Sequence, residues 1–109
     1  MAFLSSTGSS CHAWVNWNGE GTPAIRDDYN VSSISDQGTG RYRVNLSDAF
    51  ANTNFTFAGS GGRSNGDANC VYGEQVQHRT SSRIEVMFQD VQNNTRDTGI
   101  STIAFWGDN

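Results

Sequence analysis

The sequence predicts an all-β fold, an antiparallel and jelly-roll-like β-sandwich of about seven to nine short strands. Three observations carry that expectation. Ser, Thr, Asn and Gly supply 45 of the 109 residues beside a single proline, and all four fall below Ala, Leu and Glu in helix propensity. Several short runs alternate apolar and polar residues with period two, the signature of a strand with one buried face. Turn-forming clusters of Gly, Asn and Asp separate these runs at intervals of about 8–12 residues. Neither a helix-period segment nor an internal repeat is present. A chain of this length makes one domain and one core, burying about 65% of its unfolded surface.

The elements follow in order. Met1 to Ser10 is small and polar apart from Ala2-Phe3-Leu4. Residues 1–12 are therefore expected as an anchoring or docking segment, and residues 13–109 as the single sandwich domain. Cys11 to Trp17 is the first firm strand, with Cys11, Ala13, Val15 and Trp17 on one face and His12, Trp14 and Asn16 on the other. With one tryptophan in the core, the other needs cover from a loop or a second subunit. Asn18-Gly19 is expected to supply positive φ for a tight turn. Ala24 to Arg26 and Asn30 to Ile34 are further extended pieces, broken at Asp27-Asp28.

Asp36 to Gly40 reads as a turn leading into Arg41 to Leu46, whose Tyr42, Val44 and Leu46 share a face with Arg41, Arg43 and Asn45 outward. Phe55 and Phe57 alternate with polar or small neighbours. Gly59 to Ala68 has the chemistry of a long exposed loop. Cys70 to Tyr72 and Gln75 to His78 are weaker strands. Arg83 to Val91 is strong, with Ile84, Val86 and Phe88 inward and Arg83, Glu85, Met87 and Gln89 outward. Gln92 to Thr98 is a polar turn region, and Ile100 to Trp106 closes the fold with Ile103 and Phe105 inward.

Charge excludes one large class of partners. The chain has no lysine, its seven arginines are scattered from Arg26 to Arg96, and its net charge is −4. The clustered basic footprint of a nucleic-acid binder is missing. No run approaches the ~18 apolar residues of a membrane-spanning helix. The opening residues lack the positive start and apolar core of a secretory signal, so synthesis in a cytoplasm is expected. Cys11 and Cys70 would close a large loop if paired, worth about 4 kcal/mol, but a reducing compartment favours free, buried thiols.

Catalytic and metal signatures are absent. Cys11, His12, Cys70 and His78 lack a zinc-type ligand pair separated by two to four residues. Asp27-Asp28 and Asp67 do not build a calcium-loop ladder. No nucleophile elbow or comparable motif occurs, so no enzyme activity, metal or cofactor is expected. The four Asn-x-Ser/Thr triplets at Asn30, Asn45, Asn54 and Asn93 are what chance gives this composition.

One set of residues carries more. Ala13-Trp14-Val15-Asn16-Trp17-Asn18-Gly19, Ala24-Ile25-Arg26, the run from Asn30 to Ile34 with Asp36, Gly38-Thr39-Gly40, Tyr42 and Val44-Asn45, and the ending Ser101 to Phe105 occur in this order. The pattern resembles the small C-terminal tip domain of tailed-bacteriophage tail fibre proteins. The resemblance is dense from Ala13 to Phe57, sparse from Gly59 to Ser82 and moderate to the end.

The resemblance implies a sandwich on the virion surface, trimeric because phage fibres are built on threefold axes, that adsorbs the particle to a host glycan or protein. Met1 stands only twelve residues before the motif, whereas such domains end long chains; this favours a small separate protein, either a detachable fibre tip or a trimeric head decoration (cement) protein stabilising the capsid. A third alternative is a free carbohydrate-binding module with Trp14, Trp17, Tyr72 and Trp106 as its aromatic platform. Candidate receptor-binding loop residues are Arg63, Ser64, Asn65, Asp67, Asn69 and Tyr72, in a region whose Gly, Ser, Asn and Asp content provides adaptable hydrogen bonding. Candidate oligomer or virion contacts are Phe3, Leu4, Trp14 and Trp106. Expected partners are the chain itself, other tail-fibre or capsid proteins and a host surface glycan or protein, with neither nucleic acid nor membrane.

Overall fold

The computed structural model describes residues 11–63, 68–74 and 79–108, and for 68–74 the backbone alone. Among these residues are eight strands and no helix: β1 (Cys11–Asn18), β2 (Ala24–Tyr29), β3 (Val31–Gly38), β4 (Arg41–Leu46), β5 (Thr56–Gly62), β6 (Ala68–Glu74), β7 (Arg83–Gln89) and β8 (Ile100–Trp106). All pairings are antiparallel, in the order β2-β1-β8-β5-β6-β7-β4-β3. The ladder folds into two facing sheets, as the alternating sequence predicts. β6 turns the corner, pairing with β5 through Ala68 and Asn69 and with β7 from Cys70 onward. Strands β8-β5-β6-β7 form a Greek key, β8 returning to lie beside β5.

The inward faces are those of the alternation. Ala13, Val15 and Trp17 of β1 and Ile103 and Phe105 of β8 meet Tyr42 and Val44 of β4 and Ile84, Val86 and Phe88 of β7. Trp17, Tyr42 and Phe88 form a closed triangle across the two sheets, with ring centroids 5.6, 5.9 and 6.0 Å apart and steep interplanar angles. Edge-to-face contacts of this kind add to the stabilisation from burial alone. A second aromatic column caps the other end: His12 stacks on Phe50 at 3.9 Å, Phe50 on Phe55 at 4.4 Å, and the Arg79 guanidinium lies 4.0 Å over Phe55.

Four local expectations are corrected. β2 runs through Asp27-Asp28 without a break, and the chain turns at Asn30, whose φ is 59°. The Asn30 side chain makes that corner possible: its Nδ2 donates to the carbonyls of His12 and Asp48, and its Oδ1 accepts from Asp48 N at 2.7 Å. At the end of β1 the positive φ belongs to Gly21, not Gly19. Gly19 is instead required by proximity, since a Cβ there would fall 2.6 Å from Tyr42 Cζ.

The largest correction concerns Gly59 to Ala68. Gly59 to Gly62 is not loop but the end of β5, paired residue by residue with Ile103 to Ile100 of β8. The physical reason is the closeness of the second sheet. A Cβ on Gly61 would meet the Phe88 ring at 2.6 Å and Thr98 Cγ2 at 2.9 Å. Glycine in a strand here marks close approach rather than irregularity. Lastly, the turn expected from Asp36 to Gly40 is shorter, because β3 continues to Gly38, with Asp36 paired to Tyr42 and Gly38 to Arg41. Glu85 keeps the outer-face position its phase predicts and is only 3% exposed, because Arg41 Nη2 and Arg43 Nε hold its two oxygens at 2.8 and 3.1 Å.

Candidate functional site on the outer face of the first sheet

Two outward faces are available for recognition. That of β4 and β7 is occupied by its own pairs. Glu85 is held by Arg41 and Arg43, and Asn45 Nδ2 donates to Ser33 Oγ and Ser35 Oγ, both at 3.0 Å. A face saturated by internal pairs has less to offer a ligand, because breaking those pairs opposes binding.

The outer face of β2-β1-β8-β5 also carries hydrogen-bonded pairs, but it adds exposed aromatic rings and a hollow. Antiparallel register lines up its outward residues in two rows that cross the strands. The first runs Tyr29, Trp14, Ala104, Ala58, and the second Asp27, Asn16, Thr102, Ser60. Trp14 is 38% exposed and Tyr29 is 55% exposed. Beside Trp14 the two alanine side chains leave a hollow of about 320 Å³ lined by Trp14, Val15, Asn16, Ala58, Thr102, Ile103 and Ala104.

The polar row is locally ordered. A β-bulge lies between β1 and β2, where Asn16 faces Asp27 and Trp17 faces Ile25, leaving Arg26 as the extra residue. Arg26 Nη1 donates to Asn16 Oδ1 at 3.3 Å and its Nη2 donates to Gly99 O at 2.6 Å. Across β8 and β5, the Thr102 and Ser60 hydroxyls lie 3.1 Å apart. The face therefore offers two aromatic rings, two small apolar side chains, one amide, one carboxylate and two hydroxyls on paired strands. Such groups can hold a small polar molecule with an apolar side; they are not arranged as a nucleophile with its base.

The sequence-predicted site residues are dispersed. Trp14 lies at the hollow. Trp106 ends β8, half-buried, opposite Cys11 and Thr56. Trp17 is fully buried, which removes it from any surface platform. Arg63 directly follows β5 and is half-buried. Asn69 and Tyr72 fall in β6, where only the backbone is described. Phe3, Leu4, Ser64, Asn65 and Asp67 lie outside the described residues, as do Gln75 to His78. Cys11 is a free thiol that donates to the carbonyl of Ala13 at 3.2 Å. Reasoning from sequence missed Tyr29, Asn16, Ala58, Ser60, Thr102 and Ala104 as one surface. The signal was their outward phase in four strands, but it is readable only once those strands are known to be neighbours.

At the end of the sandwich nearest Gly19, Tyr42 is a buried phenol shared between the Gly19 carbonyl at 2.8 Å and Asp97 Oδ1 at 3.0 Å. Burial first, and the Asp97 charge second, push its pKa well above the usual tyrosine value. Fully buried and bonded, it ties loops together instead of facing a cleft.

No protein-family model matches the chain, and no curated protein matches it in sequence. Among solved structures its fold is similar to that of the phiAB6 tailspike, determined in complex with three-repeated oligosaccharides of Acinetobacter baumannii surface polysaccharide. The superposition has a TM-score of 0.61 at 16% identity and covers 91% of this chain and 20% of the tailspike chain. The chain thus spans about one-fifth of that protein's length, and at this identity the likeness establishes the fold.

Proposed function

We propose that this chain is an attachment module on the outside of a tailed-phage virion, a trimeric tail-fibre tip that adsorbs the particle to the host cell surface. The observation carrying the reading is the fold shared with part of a phage tailspike over 91% of the chain. The order of motifs from Ala13 to Asn45 independently resembles tail-fibre tips. The acidic, lysine-free composition fits a surface that avoids non-specific adhesion to phosphate-rich polymers. The outer face of the first sheet adds a rigid, hydroxyl- and amide-bearing surface with one exposed indole. The role is binding, with no chemical step assigned to any residue.

Competition tests the reading. The purified chain, added in excess to host cells, is expected to slow adsorption of the phage that encodes it, and gold-labelled antibody is expected to mark the tail. Label confined to the head would overturn the fibre reading in favour of a capsid decoration protein. Light scattering is expected to report a trimer; a monomer at micromolar concentration would remove the threefold tip.

A further inference from the structure

We infer that the hollow beside Trp14 is a saccharide subsite for one uncharged pyranose ring, with Trp14 as its platform, Asn16 and Thr102 as its hydrogen-bonding edge, and Ser60 extending that edge beside Thr102. The inference deepens the attachment reading and rests on it, by naming the place and chemistry of host contact.

The register supplies the first argument. Trp14, Ala104 and Ala58 stand side by side on three adjacent strands, and Asn16, Thr102 and Ser60 stand side by side two residues along. An apolar row thus runs parallel to a polar row about 7 Å away, with about 4.8 Å between neighbours in each. A pyranose has the matching anisotropy: a face of C–H groups and an edge of hydroxyls. The C–H face suits the electron-rich face of an indole. The hydroxyl edge suits groups that both donate and accept, which Thr102 and Ser60 do. Arg26 engages Asn16 Oδ1, which leaves the amide Nδ2 as the donor on that side.

Size supplies the second. About 320 Å³ lies at the lower end of small-ligand sites and suits a ring or two, not a helix or strand. A second copy of the chain is a poor occupant. The apolar strip is Tyr29, Trp14, Ala104 and Ala58, against the 20–30 residues a side of a stable protein interface.

Charge supplies the third. Asp27 continues the polar row beside Asn16 and is exposed. The neighbouring cation, Arg26, is engaged with Asn16 and the Gly99 carbonyl. A carboxylate-bearing sugar would meet like charge here, so the ligand is neutral.

The test is a nitrogen-15 NMR titration of the chain with methyl β-glucopyranoside, methyl β-galactopyranoside and tri-N-acetylchitotriose, and with methyl glucuronide as the acidic probe. At least one neutral probe is expected to give saturable shifts confined to Trp14, Asn16, Ala58, Ser60, Thr102 and Ala104, with Kd of about 1 mM. Trp14→Ala should weaken that probe about tenfold or more, while Trp14→Phe, which keeps an aromatic face, stays within about threefold. Val91→Ala, at an exposed site in the β7–β8 connection, should change nothing. Four results overturn the inference: no saturable shift on this face with any neutral probe, shifts centred elsewhere, glucuronide binding as tightly, or sugar-independent shifts here that grow with protein concentration. The adsorption assay separates the two levels. A blank sugar map with wild-type and Trp14→Ala chains both still competing removes this subsite and leaves the attachment reading standing. A wild-type chain that binds sugar at this face yet never competes removes the attachment reading instead.

Discussion

The Tyr42 hydroxyl donates to the carbonyl of Gly19 at 2.8 Å, and Gly19 in turn has no room for a side chain, since a Cβ there would lie 2.6 Å from Tyr42 Cζ. One phenol on β4 thereby fixes where β1 ends in the opposite sheet. The same hydroxyl is 3.0 Å from Asp97 Oδ1, which also accepts from Gly40 N at 2.8 Å, and Gly19 N donates to Thr98 O at 2.7 Å. Three connections, after β1, before β4 and before β8, are gathered at one buried group.

Replacement at either partner tests that junction. Gly19→Ala should destabilise by about 2 kcal/mol through overpacking, and Tyr42→Phe by about 1–2 kcal/mol through the lost hydrogen bond and the acceptors left behind. Urea denaturation of the double variant should fall short of the sum by about 0.5–1 kcal/mol, because displacing the ring already breaks the same bond.

Alkali should act through the same phenol. Its pKa is raised in the folded chain from the ordinary 10.0. Above pH 10 the unfolded chain therefore loses this proton while the folded chain keeps it. The stabilisation is fully present below pH 10 and declines above it, by about 1.4 kcal/mol per pH unit for one proton. Denaturation midpoints measured from pH 8 upward should show this slope in the wild type and lose it in Tyr42→Phe.

Acid should loosen the turn that follows β7. Asp90 Oδ1 accepts from Gln92 N at 2.9 Å and Asn94 N at 3.0 Å, and Oδ2 accepts from Arg96 Nε at 3.0 Å. The Asn94 backbone bond first, then Arg96, lower its pKa from 3.8 to about 2. A depressed carboxyl contributes order above its unfolded value and loses it as pH falls through about 2. The Gln92 and Asn94 amide signals should titrate together in that window, and Asp90→Ala should abolish the titration and raise proteolysis between residues 90 and 97.

Adjacent residues of β5 should differ sharply. Gly61→Ala places a methyl group 2.6 Å from the Phe88 ring and should cost about 1–3 kcal/mol in thermal or urea unfolding. Ser60→Ala, on the exposed face, should stay within about 0.5 kcal/mol. Equal effects at the two sites would contradict the close packing of β5 on Phe88.

Much of the architecture was legible in the sequence. Trp17, Tyr42, Val44, Ile84, Val86, Phe88, Ile103 and Phe105 are inward as their alternation predicts. Errors fell where a residue type carries two meanings. Gly59 to Gly62 has loop composition but lies in a strand because Phe88 stands behind it. Asp27-Asp28 has turn composition but sits at an exposed sheet edge, where charge is tolerated. Asp36 to Gly38 likewise has turn composition but continues β3 against Tyr42 and Arg41.

By itself, then, the sequence determined the class of fold, most of the strands and which face of each is apolar, because side-chain period and turn chemistry are properties of a few adjacent residues. Only the tertiary structure decided that β1, β8 and β5 are neighbours, and so that Trp14, Ala104 and Ala58 form one surface above Asn16, Thr102 and Ser60. Those residues are up to 90 positions apart (Trp14 to Ala104). Their meeting depends on which long loops close and which sheets pack, a balance of chain entropy against burial over the whole domain.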